Sequence, residues 1–302
     1  MKTNLIVILG PTASGKTALA ARLARDIGSE IISADSRQVY RGMNLGTGKD
    51  MEEYCLNGFC IPCHLIDIVD PGEDFSVFEY QKRFFRCFAE LSGRGKLPVM
   101  VGGTGLYIEA VIQGYGMREV PENGELRGEL AEWGMDALRH RLLSSRPDAH
   151  NTTDLTDRAR LIRAIEIAEH ANSRPPAEPQ PRVVPLVIGV RWDRQVLRGR
   201  ITERLNRRLS AGMIDEVQSL HDAGLGWERL FYFGLEYRYI GLYLQGRMAY
   251  HEMCRTLETK IHQFAKRQET WFRRMERQGI RIHWVEGGDY AAIIRIVKSF
   301  AP

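Results

Sequence analysis

Three features of the 302-residue sequence predict an α/β fold: a parallel sheet core flanked by helices and interrupted by a helical insertion. Short β-branched runs alternate with amphipathic stretches in the N-terminal part, a glycine-rich turn follows the first run, and a charged, strand-free segment precedes one more apolar run. The opening run, Leu5–Leu9, reads as a strand because it is apolar and leads directly into glycine. Further strands are expected at 30–33, 64–68 and 98–101. Segments 17–27 and 76–91 carry apolar residues at helical spacing and serve as crossovers. From Met117 the texture turns charged and helix-favouring through 125–143 and 158–170, then ends in Arg174-Pro175-Pro176-Ala177-Glu178-Pro179-Gln180-Pro181, a stiff return. A buried strand at 183–190 resumes the sheet, and 198–278 is helical in pattern. The expected division is therefore a core with a helical C-terminal part, 1–116 and 183–302, and an inserted helical domain, 117–182.

Length and a 44% hydrophobic content suffice for one large or two modest cores and exclude a disordered chain. Lysine and arginine exceed the acids by 42 to 38, a mild excess that permits a polyanionic partner without demanding one. The first apolar run is too short for a secretion signal, and no stretch reaches membrane-spanning length. Five cysteines, an odd number, argue against a secreted disulfide scaffold and for a reducing compartment, so the cytoplasm is expected.

The chemistry starts at Gly10-Pro11-Thr12-Ala13-Ser14-Gly15-Lys16-Thr17, a full G-x-x-x-x-G-K-[ST] match placed after a strand and before a helix, which makes the core P-loop NTPase-like. Its glycines let backbone N–H groups turn around phosphate oxygens, Lys16 neutralises the outer phosphate, and Thr17 would ligate Mg²⁺. Such a loop does not say which phosphate compound it holds. Asp35, just past the second strand in Glu30-Ile31-Ile32-Ser33-Ala34-Asp35, lies on the carboxyl edge where doubly wound sheets bind ligands. It suits a Mg²⁺ ligand acting through water, a general base on a substrate amine, or a helix N-cap for the segment that follows. The Gln38 amide can read an adenine edge. Val101-Gly102-Gly103-Thr104-Gly105-Leu106-Tyr107 repeats the strand–glycine–helix design, with Thr104 able to donate to a phosphate oxygen.

Residues 10–17, Asp35 to Tyr40 with Arg41-Gly42-Met43, and 101–107 in this order resemble tRNA dimethylallyltransferases, also called tRNA isopentenyltransferases. The likeness continues through Leu65-Ile66-Asp67, Phe75-Ser76-Val77, 160–166, 200–217 and Ala265-Lys266-Arg267-Gln268-Glu269-Thr270-Trp271-Phe272-Arg273. The resemblance implies transfer of a dimethylallyl group from its diphosphate to N6 of the adenosine beside the 3′ end of the anticodon, with Mg²⁺. It implies that residues 10–17 (Gly10, Pro11, Thr12, Ala13, Ser14, Gly15, Lys16 and Thr17) hold the diphosphate. In it Asp35 accepts the amine proton, Thr104 bridges diphosphate and reactive centre, and Arg238 contacts the diphosphate. Asp35, Ser36, Arg37, Gln38, Thr104, Arg127, Ala159, Arg160, Leu161, Ile162 and Arg163 match tRNA-contacting positions. The implied partners are tRNA and dimethylallyl diphosphate, the chain acting as a monomer away from membranes.

The departures from the family pattern are Glu236 for glycine and His262 for arginine, both of which lower local positive charge, and an eroded stretch at 152–157. Between Lys260 and Arg281 seven cationic residues face two glutamates, interleaved with Phe264, Trp271 and Phe272, which suits RNA stacking or simply a helix core. Arg160 and Arg163 share a helical face that suits RNA contact or solvent. Cys60-Ile61-Pro62-Cys63 has no second pair, so zinc is not expected, and His64 reads as structural. Three other activities share parts of these motifs. A cytokinin-type adenylate isopentenyltransferase shares the core and chemistry but acts on free nucleotides, and the long insertion and the 265–273 motif favour an RNA substrate instead. A P-loop kinase of the nucleoside or shikimate type is disfavoured by the second glycine turn. A non-catalytic RNA-binding ATPase-like module requires a dispensable Asp35.

Overall fold

The structure is a computed structural model that describes residues 2–56, 58–117, 119–145, 155–172 and 180–300. Two compact units emerge, Met1–Tyr115 with Pro181–Pro302 and the inserted Gly116–Gln180.

In the first unit the elements run β1 (Leu5–Leu9), α1 (Lys16–Asp26), β2 (Ile31–Ala34), a small ribbon of β3 (Cys55–Leu56) and β4 (Phe59–Cys60), β5 (Cys63–His64), α2 (Val77–Gly93), β6 (Val99–Gly102) and α3 (Gly105–Ile112). Strands β5-β2-β6-β1 pair in that order and all in parallel. Leu5, Val7 and Leu9 enter the core on one face while Ile6 and Ile8 enter the opposite one, so the central strand has no polar side and must be covered by helices on both. Tyr80 and Phe84 of α2 and Ile108 of α3 cover the first face, and Ala20 and Leu23 of α1 the second.

The expected strand 64–68 is cut short. Leu65 and Asp67 adopt left-handed φ values of 63° and 52°, turning the chain so that Asp67 meets the Lys49 ammonium. His64 is structural: it bonds Glu30 at 2.7 Å, and Arg94 and Lys96 also converge on that carboxylate. These partners hold the Glu30 carboxyl down at about 2, the Arg94 hydrogen bond leading. The register of β3 and β4 sets Cys55 opposite Cys60 and the two form a disulfide, while Cys63, Cys87 and Cys254 stay free. Burial pushes the nearby Cys63 thiol up to about 12.

In the insertion, α4 (Gly124–Ala131), α5 (Met135–Ser145) and α6 (Arg158–Asn172) pack Leu126, Leu130, Leu138, Leu142, Leu161 and Ile165 into a core of their own. The single helical stretch expected at 125–143 breaks before Met135, where the Gly134 carbonyl accepts the Leu138 N–H. The eroded 152–154 and most of the Pro-rich run lie outside the described residues.

The first unit resumes with β7 (Pro185–Arg191) beside β1. Six helices and one strand follow: α7 (Arg194–Ser210), α8 (Met213–Asp222), α9 (Trp227–Tyr232), α10 (Leu235–Leu244), α11 (Tyr250–Arg277), β8 (Ile282–Glu286) and α12 (Tyr290–Phe300). Strand β8 completes the six-stranded parallel sheet beside β7. Neither β8 nor α12 is anticipated from the sequence, although Ile282-His283-Trp284-Val285 has the β-branched and aromatic texture of a strand.

Candidate active site

The phosphate loop is built by exclusion. Ala13 and Gly15 take left-handed φ values of 61° and 80°, and a Cβ on Gly10 would overlap Ser14 and the Val190 carbonyl. Two loop carbonyls are held from outside, Ala13 O by Arg200 Nε at 2.8 Å and Ser14 O by Trp192 Nε1 at 2.9 Å, and Pro11 O is held from within by Lys16 Nζ at 3.2 Å. Gly15 brings no side-chain cap, so the first amides of α1 stay open to a ligand at the positive end of the helix. A cavity of about 160 Å³ sits there, lined among others by Lys16, Thr17, Glu53, Arg200, Arg204 and Arg207.

The sheet register sets the second glycine turn and the carboxylate beside this loop. Gly102 pairs with both Leu9 and Ala34, so β1, β6 and β2 end side by side, and a Cβ on Gly102 would overlap the Ala34 carbonyl. Thr104 N donates to Ala34 O at 3.2 Å, and Thr104 Oγ1 accepts from Ser36 N at 3.1 Å. Asp35 Oδ1 accepts from Arg37 N at 2.9 Å, so one oxygen caps the turn. Its Oδ2 makes no hydrogen bond to a described residue.

The amide of Gln268, reaching in from α11, joins the two turns: Oε1 accepts from Thr12 N at 2.8 Å and Nε2 donates to Gly103 O at 2.9 Å. A Cβ on Gly103 would overlap that amide, and one on Gly105 would overlap the Trp271 ring, so two of the turn's glycines are explained by α11. Sequence reasoning gave Gln268 no role. Its only local signal is a neutral amide in a run of charged residues.

Cations crowd the cavity. Arg204 binds Asp50 at 2.5 Å and Thr12 Oγ1 at 3.2 Å, while the Nη2 of buried Arg208 lies 3.5 Å from the same Asp50 and its Nε has no hydrogen-bond partner. Burial pushes the Asp50 carboxyl up, but Arg204 and Arg208 outweigh it and hold the group below its usual range. Desolvation first, then Arg204, lowers half-buried Lys16 to about 8, with Asp35 opposing. Burial raises the Glu236 carboxyl, and Arg208 is the leading opposing charge, so the residue that departs from the family pattern is countered by α7.

The comparisons decide the family. A profile of IPP transferases matches residues 38–275, and one of isopentenyl transferases matches 3–58. This chain belongs to the IPP transferase family. It is 62% identical over 301 residues to tRNA dimethylallyltransferase 1 of Syntrophus aciditrophicus (strain SB), covering 99% of each chain. It is 57% identical to tRNA dimethylallyltransferase 1 of Geotalea uraniireducens (strain Rf4), covering 95% of this chain and 94% of the other. The full-length tRNA isopentenylpyrophosphate transferase of Bacillus halodurans superposes with a TM-score of 0.68 at 32% identity, over 99% of this chain and 98% of that one. A eukaryotic dimethylallyltransferase, at 20% identity, shares the fold with a TM-score of 0.81 over all of this chain and 81% of that one.

As an IPP transferase the chain brings together the loop, Asp35, Ser36 and Thr104. The exposed Arg238 on α10 makes no side-chain hydrogen bond or ion pair with a described residue, and the cavity's arginines come from α7 instead. Gln38 Nε2 is engaged by Gly48 O at 2.9 Å. In the insertion, Arg127 and Arg163 both bind buried Glu166, at 2.8 and 3.1 Å. Leu161 has no exposure and belongs to the insertion core, which corrects its placement among side chains that meet RNA. Ala159 and Arg160 are exposed and Ile162 is half-buried. Phe272 is core, Trp271 packs on Gly105 with Arg274 over its ring at 5.1 Å, and Phe264 is exposed.

Proposed function

We propose that this chain transfers a dimethylallyl group from dimethylallyl diphosphate to N6 of the adenosine adjacent to the 3′ side of the anticodon in tRNA. The observation that carries the reading is the side-by-side ending of β1, β6 and β2, which puts an anion cradle, Thr104 and the free Asp35 oxygen on one edge. The names of the relatives support the same reaction class.

An exocyclic adenine amine is a weak nucleophile because its lone pair is delocalised into the ring, so a base must take its proton as the N–C bond forms. Asp35 Oδ2 is that base. The breaking C–O bond leaves both electrons on the diphosphate, whose charge Lys16, the loop amides and the α7 arginines stabilise. The products are the N6-alkylated adenosine, a protonated Asp35 and free diphosphate. A Mg²⁺ ion fits this cavity because Thr17 and Glu53 supply hard oxygen donors, and with diphosphate oxygens they would hold it. When bound, the ion adds positive charge to the leaving group. The target base must leave the anticodon loop stack, where unstacking costs least.

Labelled dimethylallyl diphosphate offered with unmodified tRNA or with AMP tests the proposal. Label in tRNA is expected; label in AMP alone overturns the RNA substrate, and phosphate transfer from ATP overturns both alkylation readings. Asp35→Asn keeps the turn-capping oxygen but not the base, and is expected to lower kcat by roughly 10²–10⁴ with donor affinity little changed. Unchanged kcat would remove Asp35 from that role. A monomer in the cytoplasm, away from membranes, is part of the proposal. Among the described residues no helix is long and apolar enough to cross a membrane.

A further inference from the structure

Tyr232, at the end of α9, is 46% exposed and has a guanidinium over its ring from each of two arginines. The Arg37 guanidinium lies 4.7 Å from its centroid and that of Arg229 lies 5.0 Å away. The two arginines are held differently. Arg229 is fixed by Pro71 O at 2.8 Å, Asp74 at 2.5 Å and the Glu73 carbonyl. The Arg37 side chain makes no hydrogen bond or ion pair with a described residue, so the ring is what orients it and its N–H donors stay open. The stack stands on a rigid footing, because Tyr232 meets Phe233 edge-on at 5.6 Å and Phe233, buried, meets Tyr40 at 4.7 Å. The backbone of Arg37 is tied to Asp35 itself at 2.9 Å.

We propose that Arg37 and Tyr232 form a stacking clamp for a single-stranded RNA base, the nucleotide next to the one whose amine reaches Asp35. The inference rests on the RNA-alkylation reading. A base extruded toward Asp35 deprives its neighbour of a stacking partner, and a guanidinium plane backed by an aromatic ring replaces that partner without reading base identity. The clamp therefore positions RNA and takes no part in bond making.

The test uses the full chain with an anticodon stem-loop RNA carrying 2-aminopurine beside the target adenosine. Tyr232→Ala is expected to raise the KM for RNA roughly tenfold and to abolish 2-aminopurine quenching on binding. The Kd for the donor, measured without RNA, is expected to stay within twofold. Tyr232→Phe is expected to restore the RNA KM and the quenching. An unchanged RNA KM in Tyr232→Ala overturns the clamp, and so does an equal loss of donor affinity, which would make Tyr232 a support of the phosphate cavity. If the unsubstituted chain alkylates AMP and not RNA, the underlying reading fails before any variant is made.

Discussion

The arginines of the insertion and those around the phosphate loop have different partners. In the insertion, Arg127 and Arg163 converge on Glu166, whose side chain is 1% exposed, and Arg141 binds Glu129 and Glu169 at 2.6 and 2.7 Å. Around the loop, Arg204 and Arg208 share the one carboxylate of Asp50, Arg200 holds a backbone carbonyl, and Arg207 has no side-chain hydrogen bond to a described residue. The difference teaches that a net charge of +4 says little about where charge acts. Cations matched by carboxylates are structural, whereas cations crowded without enough of them, at a depressed lysine, wait for an anion from outside.

The largest expected effect is on the loop side. Arg204→Ala should weaken binding of dimethylallyl diphosphate, and of inorganic diphosphate, by roughly 10–100-fold, read by calorimetry, because a charge-assisted contact is lost while Asp50 keeps Arg208. Unchanged affinity would show that Arg204 is as structural as the arginines of the insertion. A second effect follows from Lys16. Its proton favours the diphosphate and its free-state value is about 8, so donor affinity should be flat below that pH. Above it affinity should fall by up to about tenfold per pH unit, until the higher value of the bound state is reached. An affinity that rises with pH in that window would show that Lys16 is not the group. The smallest effect belongs to the insertion. Arg127→Ala should cost about 1–2 kcal/mol of stability, since Glu166 retains Arg163 and the Asn123 amide, and should leave donor affinity alone. A rise in the KM for RNA at unchanged thermal stability would instead return Arg127 to the RNA surface expected from resemblance.

What could be read from sequence was local. Residues 10–17 announce a phosphate loop because glycine spacing and the Lys16-Thr17 pair act within one turn, Leu5–Leu9 announces its strand as an apolar run leading into glycine, and 76–91 announces its helix by periodicity. The strand ends before Asp35 and Thr104 placed both on the carboxyl edge of the sheet, where the structure has them. Where local signals were weak, the reading failed: β8 lies beyond the helical run, and the strand at 64–68 is overruled by the ion pair between Lys49 and Asp67. Leu161 was placed on RNA although its apolar side chain closes the insertion core.

The sequence by itself determined the chemistry of the opening loop, the α/β layering and the family, because each depends on neighbours in the chain or on motif order. Only the tertiary structure decided that Gln268 ties the loop to the second glycine turn, a separation of 256 residues from Thr12. It also decided that Asp50 gathers Arg204 and Arg208, and that Tyr232 carries Arg37. Those pairings arise from sheet register and helix packing, which bring together side chains that no local pattern links.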